Sequence, residues 1–204
     1  MIYQVEKSNP ARIDKNIDIK NLPGHIAIVM DGNGRWATAQ GLSRTKAHEQ
    51  GEQALYDVIY GARDLGINYV TVYAFSTENW SRPKAEVAFL MGFNERLLVE
   101  RLGELHEHNI RVKFVGRREK RIPSRLIKRM DEAELKTKDN TGMTLCIAFN
   151  YGSKAELVDA TKAIAQKVKD GELEIDKIDE NLLSDNFYFP EILNANRNRK
   201  EKSL

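Results

Sequence analysis

The chain has 204 residues and a mass of 23.3 kDa, enough for one α/β domain with a substantial core. Thirty-two Lys and Arg residues against 30 Asp and Glu residues give a net charge of +2, too balanced to indicate a nucleic-acid-binding protein. The single cysteine, Cys146, lies in an apolar run, so a disulfide scaffold is excluded and a reducing compartment fits. No apolar stretch approaches the ~20 residues that span a bilayer, and the first residues lack the order of a signal peptide. We therefore expect a soluble, cytoplasmic protein.

Strands and helices alternate after an N-terminal arm over residues 1–22, in which charges, Asn and Pro10 show no periodicity. Apolar runs predict strands at about 26–30, 69–75, 110–115 and 143–149. Apolar residues at helical spacing predict helices at about 55–65, 85–105, 123–130 and 157–168. This alternation predicts a single α/β domain over residues 23–191, with an open, mostly parallel sheet flanked by helices.

The first predicted strand ends in a loop that combines a carboxylate, glycines and an arginine: His25-Ile-Ala-Ile-Val-Met-Asp31-Gly32-Asn33-Gly34-Arg35-Trp36. Glycine amides can approach an anion closely, Arg35 adds a fixed charge, and Asp31 can hold a hard cation against phosphate oxygens. A calcium loop of the EF-hand type is excluded because its fifth, sixth and twelfth positions hold Arg35, Trp36 and Leu42. A tight turn that merely joins two elements is the alternative.

Polar and aromatic residues also follow the second predicted strand, and Asn150-Tyr151-Gly152-Ser153 follows the fourth. The second loop contains Ser76, Thr77, Glu78, Asn79, Trp80, Ser81 and Arg82. Because ligands bind beyond the carboxyl ends of parallel strands, the three loops are expected to line one rim of the sheet. Ordinary core aromatics explain Phe75 and Trp80 about as well, and a surface arginine is the alternative for Arg82.

Two further segments allow more than one interpretation. The helix at 85–105 is more apolar than a one-sided surface helix requires, so something must cover its extra apolar face, and an ordinary core or dimer contact would do so. A basic run extends from Arg117 to Arg129, but no aromatic residues are interleaved for base stacking. A solvated helix face explains this run better than nucleic-acid binding.

The chain has two long motifs, HIAIVMDGNGRW and YAFSTENWSRP, with Arg44 and His48 between them and Asn150-Tyr151-Gly152 later. Together these residues resemble the cis-prenyltransferase family. Its members are also called isoprenyl transferases or undecaprenyl diphosphate synthases, and the resemblance runs from about His25 to about Glu191. It implies condensation of isopentenyl diphosphate with an allylic diphosphate such as farnesyl diphosphate. The product would be a cis-polyprenyl diphosphate, a lipid-carrier precursor for cell-wall synthesis. The resemblance also implies Mg²⁺ as cofactor, a homodimer and transient contact with a membrane surface.

The resemblance implies catalytic roles for Asp31, which would also bind the metal, and for Asn79, as acceptor of the proton lost from the isopentenyl unit. Because a neutral amide has almost no basicity near pH 7, we expect Asn79 to position the substrate or a proton route instead. The implied substrate-binding residues are Gly32, Asn33, Gly34, Arg35, Trp36, Arg44, His48, Ser76, Thr77, Glu78, Trp80 and Arg82. A hydrophobic tunnel for the growing chain is also implied, with Ala74, Leu90, Phe93, Met143 and Leu145 as candidate lining residues.

The C-terminal residues depart from the family pattern. Family members continue beyond a segment like 187–191 into a motif rich in Arg and Ser, a glutamate that completes the metal site, and further helices. Residues 192–204 instead form a polar, basic tail, which a shifted reading frame or a truncation explains. We therefore expect an incomplete domain with the allylic half of the site present, the isopentenyl half absent, and little activity alone. The alternative is a noncatalytic partner subunit of the same family.

Overall fold

The computed structural model describes Asp14 and residues 16–192 of the chain. The strands are β1 (His25–Val29), β2 (Tyr69–Ser76), β3 (Arg111–Val115) and β4 (Thr144–Tyr151). The α-helices are α1 (Asn33–Ala39), α2 (Arg44–Asp64), α3 (Lys84–Glu107), α4 (Ser124–Thr137), α5 (Ser153–Lys169) and α6 (Glu180–Asp185). Short 3-10 turns lie at Ile19–Asn21, Thr77–Ser81 and Ile175–Lys177.

The strands form one parallel sheet in the order β1-β2-β4-β3, which confirms the predicted α/β class. In the register of the sheet, Val29 lies opposite Tyr73, and Ala148 lies opposite both Tyr73 and Val115. The carboxyl ends of all these strands therefore meet at the same edge of the sheet. The loops that carry the conspicuous motifs begin at this edge, as predicted.

The two faces of the sheet bury different amounts of apolar surface. Because side chains alternate along a strand, Val70 and Val72 of β2 face the larger core, which packs against α2, α3 and α4. Tyr69 and Tyr73 face a smaller cluster with Cys146 and Ala148. Burial raises the pKa of the Cys146 thiol to about 12, so this residue is a small core side chain, as the sequence indicated.

One helix differs from the sequence prediction, and two predicted segments lie largely outside the described residues. Helix α1 was not predicted, and it begins inside the Gly-Asn-Gly segment, directly after β1. Most of the predicted arm (1–22) and nearly all of the predicted tail (192–204) lie outside the described residues. None of the helices in the described part of the chain has the combination of length and apolarity needed to cross a membrane.

Candidate active site

The first polar loop follows β1 and leads directly into α1. Gly32, with a φ of 93°, adopts the left-handed conformation that favours glycine, and its N–H donates to Asp31 Oδ1 at 2.6 Å. Asp31 Oδ2 accepts a hydrogen bond from Arg35 Nη2 at 3.0 Å. The side chains of Asp31 and Arg35 are 78% and 80% exposed. An ion pair this exposed is weak, so a bound anion and cation can separate its two partners at little energetic cost.

Asn33 connects this loop to α2. A Cβ atom added at Gly51 would lie 2.5 Å from Asn33 Nδ2, so glycine at this position permits the contact between α2 and the start of α1.

Trp36 is 45% exposed on α1, so it lies outside any dry pocket of the described structure. Arg44 and His48 lie in the first two turns of α2, which is consistent with a shared helix face, but their side chains lie outside the described part.

The second loop folds into the 3-10 turn Thr77–Ser81. Asn79 Oδ1 accepts a hydrogen bond from the backbone N–H of Ser76 at 3.1 Å, so the Asn79 amide orders the turn. Hydrogen bonds from its own backbone N–H and from the Ser76 and Thr77 side chains lower the pKa of Glu78. The Glu78 carboxylate is therefore charged at neutral pH.

Arg82 ends the second loop and pairs with the beginning of α3. Its Nη1 donates to Glu86 Oε1 at 2.8 Å. Because Arg82 precedes α3, which begins at Lys84, this pair links the end of the second loop to the first turn of that helix. Arg82 nevertheless lies at the wall of the cavity described below.

The third loop contacts the second through Trp80. The Trp80 indole N–H donates to Asn150 Oδ1 at 2.7 Å, and the Trp80 ring meets Phe75 edge-on at 4.9 Å between centroids. The Arg121 guanidinium lies 4.7 Å from the centre of the Trp80 ring. Trp80 is thus held from several sides, in agreement with the core interpretation of this aromatic residue, and its contact with a substrate stays a prediction.

An ion pair stabilises the backbone beside Asn150. Arg117 donates from Nε and Nη2 to the two carboxylate oxygens of Asp159, at 2.8 and 2.7 Å. Tyr188 also donates its hydroxyl to Asp159, at 2.5 Å. The bonds from Arg117 and Tyr188 lower the pKa of Asp159 to about 2, and burial raises that of Tyr188 to about 12.

An apolar cavity of about 180 Å³ lies between the sheet and helices α2 and α3. Polar residues of the first two loops, Asn33, Asn79 and Arg82, line it together with apolar side chains. The apolar lining includes Met30, Leu55, Ile59, Val72, Ala74, Leu90, Phe93, Leu97, Leu98, Leu105, Leu126, Leu145 and Phe149. The cavity therefore joins the polar rim to a long apolar interior.

Of the predicted tunnel residues, Ala74, Leu90, Phe93 and Leu145 line this cavity, whereas Met143 does not. Met143 precedes β4, at the amino end of the sheet, where its carbonyl oxygen accepts a hydrogen bond from the backbone N–H of Arg111 at 3.0 Å. Its side chain is buried in the core.

The predicted magnesium ligand, Asp31, fits one kind of metal site. Mg²⁺ in phosphate-transfer sites is typically bound by one or two carboxylates, substrate phosphate oxygens and water. A single exposed carboxylate beside Arg35 and the amides of residues 32–34 suits such a bridged site. Within the described residues, no group of three or more His, Cys, Asp or Glu side chains could form a metal site made of protein alone.

Sequence reasoning missed two positions that shape this site. Glu52 lines the cavity and accepts hydrogen bonds from Arg96 and Arg101 of α3, a contact between distant helices that no local pattern indicates. Asn150 was noted only as part of a motif. The available signal for its buried role was a polar residue directly after the predicted strand at 143–149 and two positions before a glycine.

The site combines a parallel sheet, an exposed loop with an acidic residue and glycines, a second polar loop, and an apolar cavity that extends from the two loops. A protein with this arrangement is suited to bind an anion attached to a long apolar group. The prenyltransferase family model described as undecaprenyl diphosphate synthase matches residues 29–196. The chain therefore belongs to this prenyltransferase family, as the sequence motifs indicated.

Individual relatives agree with this assignment. The chain is 47% identical to isoprenyl transferase 2 of Corynebacterium efficiens, over 85% of this chain and 71% of the relative. It is 48% identical to the (2Z,6E)-farnesyl-diphosphate-specific trans,polycis-polyprenyl diphosphate synthase of Thermobifida fusca, over 84% of this chain and 60% of the relative. The chain thus spans between three fifths and about seven tenths of the length of these two curated relatives.

The fold is also similar to a solved structure. Lavandulyl diphosphate synthase from Lavandula x intermedia, crystallised with dimethylallyl diphosphate, superimposes with a TM-score of 0.78 at 33% sequence identity. The superposition covers 82% of this chain and 74% of the lavender protein. The open parallel sheet is thus the architecture of this neighbour as well.

Proposed function

We propose that this chain condenses isopentenyl diphosphate with an allylic diphosphate such as farnesyl diphosphate, and so makes a cis-polyprenyl diphosphate. The observation that carries the proposal is the cavity, in which Asn33, Asn79 and Arg82 share one space with a long apolar interior. The two parts correspond to the two halves of an allylic substrate, which has a diphosphate head and an isoprenoid tail. The name of the Thermobifida fusca relative and the ligand of the lavender structure support this substrate class.

In the proposed reaction the allylic carbon–oxygen bond breaks and inorganic diphosphate departs. A carbon–carbon bond forms between the allylic carbon and the isopentenyl double bond, and the isopentenyl unit loses a proton. Arg35 and the amides of residues 32–34 would stabilise the negative charge that grows on the departing diphosphate. Asp31 would hold Mg²⁺, which supplies further charge neutralisation there when bound.

The second loop would position the substrates. Asn79 has an amide that is neutral and partly engaged with Ser76, which suits orientation of a substrate better than removal of a proton. Glu78 is ionised, and its negative charge lies in the same turn. The proton therefore leaves most simply on the departing diphosphate, the strongest base that the reaction itself supplies.

The setting of the enzyme is part of the proposal. The long apolar product favours brief contact with a membrane surface, and its use as a lipid-carrier precursor for cell-wall synthesis follows from the family. The reduced, buried thiol of Cys146 fits a cytoplasmic location. A homodimer, which the family implies, can be tested by sedimentation of the purified chain.

The test is incorporation of labelled isopentenyl diphosphate into a lipid-extractable product, with Mg²⁺ and farnesyl diphosphate present. The Corynebacterium efficiens relative, assayed side by side, controls for the substrates and the extraction. We expect Mg²⁺-dependent incorporation by this chain to be far weaker than by the relative, because residues 192–204 depart from the family pattern. Binding of farnesyl diphosphate without incorporation would contradict catalysis and favour a noncatalytic subunit, and absence of both would contradict the whole assignment.

A further inference from the structure

Asn150 is a fully buried polar residue directly beside the site, with 0% of its surface exposed. It lies near the end of β4 and has a φ of 51°, in the left-handed region that asparagine tolerates better than most residues. A buried polar side chain is costly unless all of its hydrogen-bonding groups find partners. The partners of Asn150 therefore show what this position must provide.

Both the oxygen and the nitrogen of the Asn150 side-chain amide are hydrogen-bonded, the oxygen to a donor and the nitrogen to an acceptor. Asn150 Oδ1 accepts from the Trp80 indole N–H at 2.7 Å, and Asn150 Nδ2 donates to the Arg117 carbonyl oxygen at 2.8 Å. An indole N–H can only donate and a carbonyl oxygen can only accept. Position 150 must therefore supply one acceptor and one donor, which a neutral amide does and an ionised carboxylate does not.

The segment 116–117, which accepts the hydrogen bond of the Asn150 side chain, is tightly packed. Gly116 has a φ of 128°, and a Cβ atom there would clash with the carbonyl oxygen of Phe149. The Arg117 N–H also donates to the backbone oxygen of Asn150 at 3.2 Å, and the Arg117 side chain pairs with Asp159. The carbonyl oxygen of Arg117, which accepts the hydrogen bond from Asn150 Nδ2, is therefore fixed in place against β4.

On its other side Asn150 reaches the second loop. Trp80 follows Asn79 in the turn Thr77–Ser81, and Asn79 lines the cavity. Gly152, two residues after Asn150, supports the same turn, because a Cβ atom there would clash with Thr77 Oγ1. Neither Asn150 nor Gly152 lines the cavity itself. The side-chain contacts of Asn150 therefore connect it to the cavity through Trp80 and the turn.

We propose that Asn150 is a positioning residue for the substrate site, holding Trp80 and with it the Asn79 turn in the orientation that binds an allylic diphosphate. The inference rests on the proposed function for its ligand. It goes beyond that function because it assigns the orientation of the second loop to a residue outside the cavity. The donor-and-acceptor requirement at position 150 makes the proposal testable through the protonation state of a substituted side chain.

The central variant is Asn150→Asp, which has nearly the same shape. The ionised carboxyl would have no donor for the Arg117 carbonyl, whereas the protonated carboxyl supplies one donor and one acceptor. Burial raises the pKa of such a carboxyl, so it gains its proton as the pH falls from about 8 to about 5. We expect farnesyl diphosphate affinity at least tenfold below wild type at the higher pH, and recovery to within about threefold at the lower pH.

Other charged groups surround this position, and the design separates them from the introduced carboxyl. The adjoining segments carry several titratable or charged groups. These are Arg117 with its partners Asp159 and Tyr188, Arg121 above the Trp80 ring, Glu119 beside both arginines, Glu78 in the turn, and Tyr151 with its partner Glu156. All of them are also present in Asn150→Leu, which has no titratable group at position 150. Affinities are expressed relative to wild type at each pH, which removes the titration of the ligand.

A matched control is available at Asn109, which shares the left-handed conformation with a φ of 57°. Asn109 is exposed after α3 and bonds to Thr141, at the opposite end of the sheet. We expect Asn109→Asp to leave affinity and its pH dependence unchanged. Trp80 fluorescence, measured in a Trp36→Phe background, supplies a ligand-free readout, since Asn150→Asp should shift the emission at high pH and restore it at low pH.

The possible outcomes are distinct. Loss at high pH with recovery at low pH for Asn150→Asp, without recovery for Asn150→Leu, supports the proposal. Wild-type affinity for Asn150→Asp at high pH, or equal recovery of both variants, overturns it. Failure of wild type to bind farnesyl diphosphate would refute the proposed function alone, because the fluorescence of Trp80 still tests the positioning role.

A second pair of variants serves if Asn150→Asp does not fold at high pH. Trp80→Phe keeps an aromatic ring but removes the indole donor, and we expect about fivefold weaker binding from it. In the Trp80→Phe background, Asn150→Ser should weaken binding further by less than twofold, because the connection is already broken. Fully additive effects of the two substitutions would overturn the proposal.

Discussion

The two polar loops of the site are held in place in opposite ways. The first, from Asp31 to Trp36, is stabilised within the loop and exposes both Asp31 and Arg35. The second, Thr77–Ser81, is tied to a buried amide 70 residues away in sequence, between Trp80 and Asn150. An exposed loop can exchange its own ion pair for a ligand and a metal ion, whereas a buried network fixes an orientation. The contrast suggests that the first loop supplies charge and the second supplies geometry.

The support of the second loop can be broken without touching the loop. Gly116→Ala places a Cβ atom against the Phe149 carbonyl oxygen at a φ of 128°. Combining backbone strain with this clash, we expect a loss of about 3 kcal/mol in the free energy of unfolding, measured in urea. Gly103→Ala is the control, because no atom lies within 4 Å of the added Cβ in α3. There we expect a gain of roughly 0.5–1 kcal/mol, and a similar loss at both positions would contradict the packing described for Gly116.

The charge of the first loop can be removed by Arg35→Ala. We expect binding of farnesyl diphosphate to weaken by about 2 kcal/mol, roughly thirtyfold, the scale of one charge-assisted hydrogen bond. Calorimetry measures it, and Arg129→Ala is a suitable control because Arg129 pairs with Glu132 on the surface of α4. Unchanged affinity for Arg35→Ala would mean that the first loop does not supply the charge.

The cavity that joins the loops can be narrowed at Ala74. We expect Ala74→Leu to weaken binding of farnesyl diphosphate about tenfold, or about 1.4 kcal/mol, because the larger side chain occupies space needed by the apolar tail. Inorganic diphosphate lacks the tail, and its affinity should not change. Equal losses for both ligands would instead indicate a general disturbance of β2.

The smallest expected effect concerns pH and the ion pair that supports Asn150. Asp159 has a folded-state pKa of about 2, below its ordinary 3.8, so its ionised form stabilises the fold above pH 3.8. That stabilisation is lost as the pH falls from 3.8 through about 2. Because the pair is about one-third exposed, we expect Asp159→Asn to cost about 1 kcal/mol at neutral pH. The variant should also lose less stability than wild type over that acid range, in urea unfolding at each pH. Parallel acid profiles for the two proteins would contradict the role of Asp159.

The sequence predicted the sheet well because parallel strands are buried on both faces and appear as continuous apolar runs. It did not predict α1, since Asn33 and Gly34 have low helix propensity and the helix depends on the preceding Gly32 turn and on Gly51 of α2. The motifs indicated both loops, but the way each is held depends on tertiary contacts. The Trp80–Asn150 hydrogen bond and the burial of Met143 outside the cavity lining follow from strand register and from the packing of distant segments.

The exposed first loop is expected to bind the substrate together with a metal ion. Calorimetry of farnesyl diphosphate with wild type and Asp31→Asn, each with and without Mg²⁺, measures this. We expect Mg²⁺ to tighten binding to wild type at least tenfold, and Asp31→Asn to remove most of this gain while retaining metal-free binding. Equal affinities for the two proteins under both conditions would show that Asp31 does not bind the metal ion with the substrate.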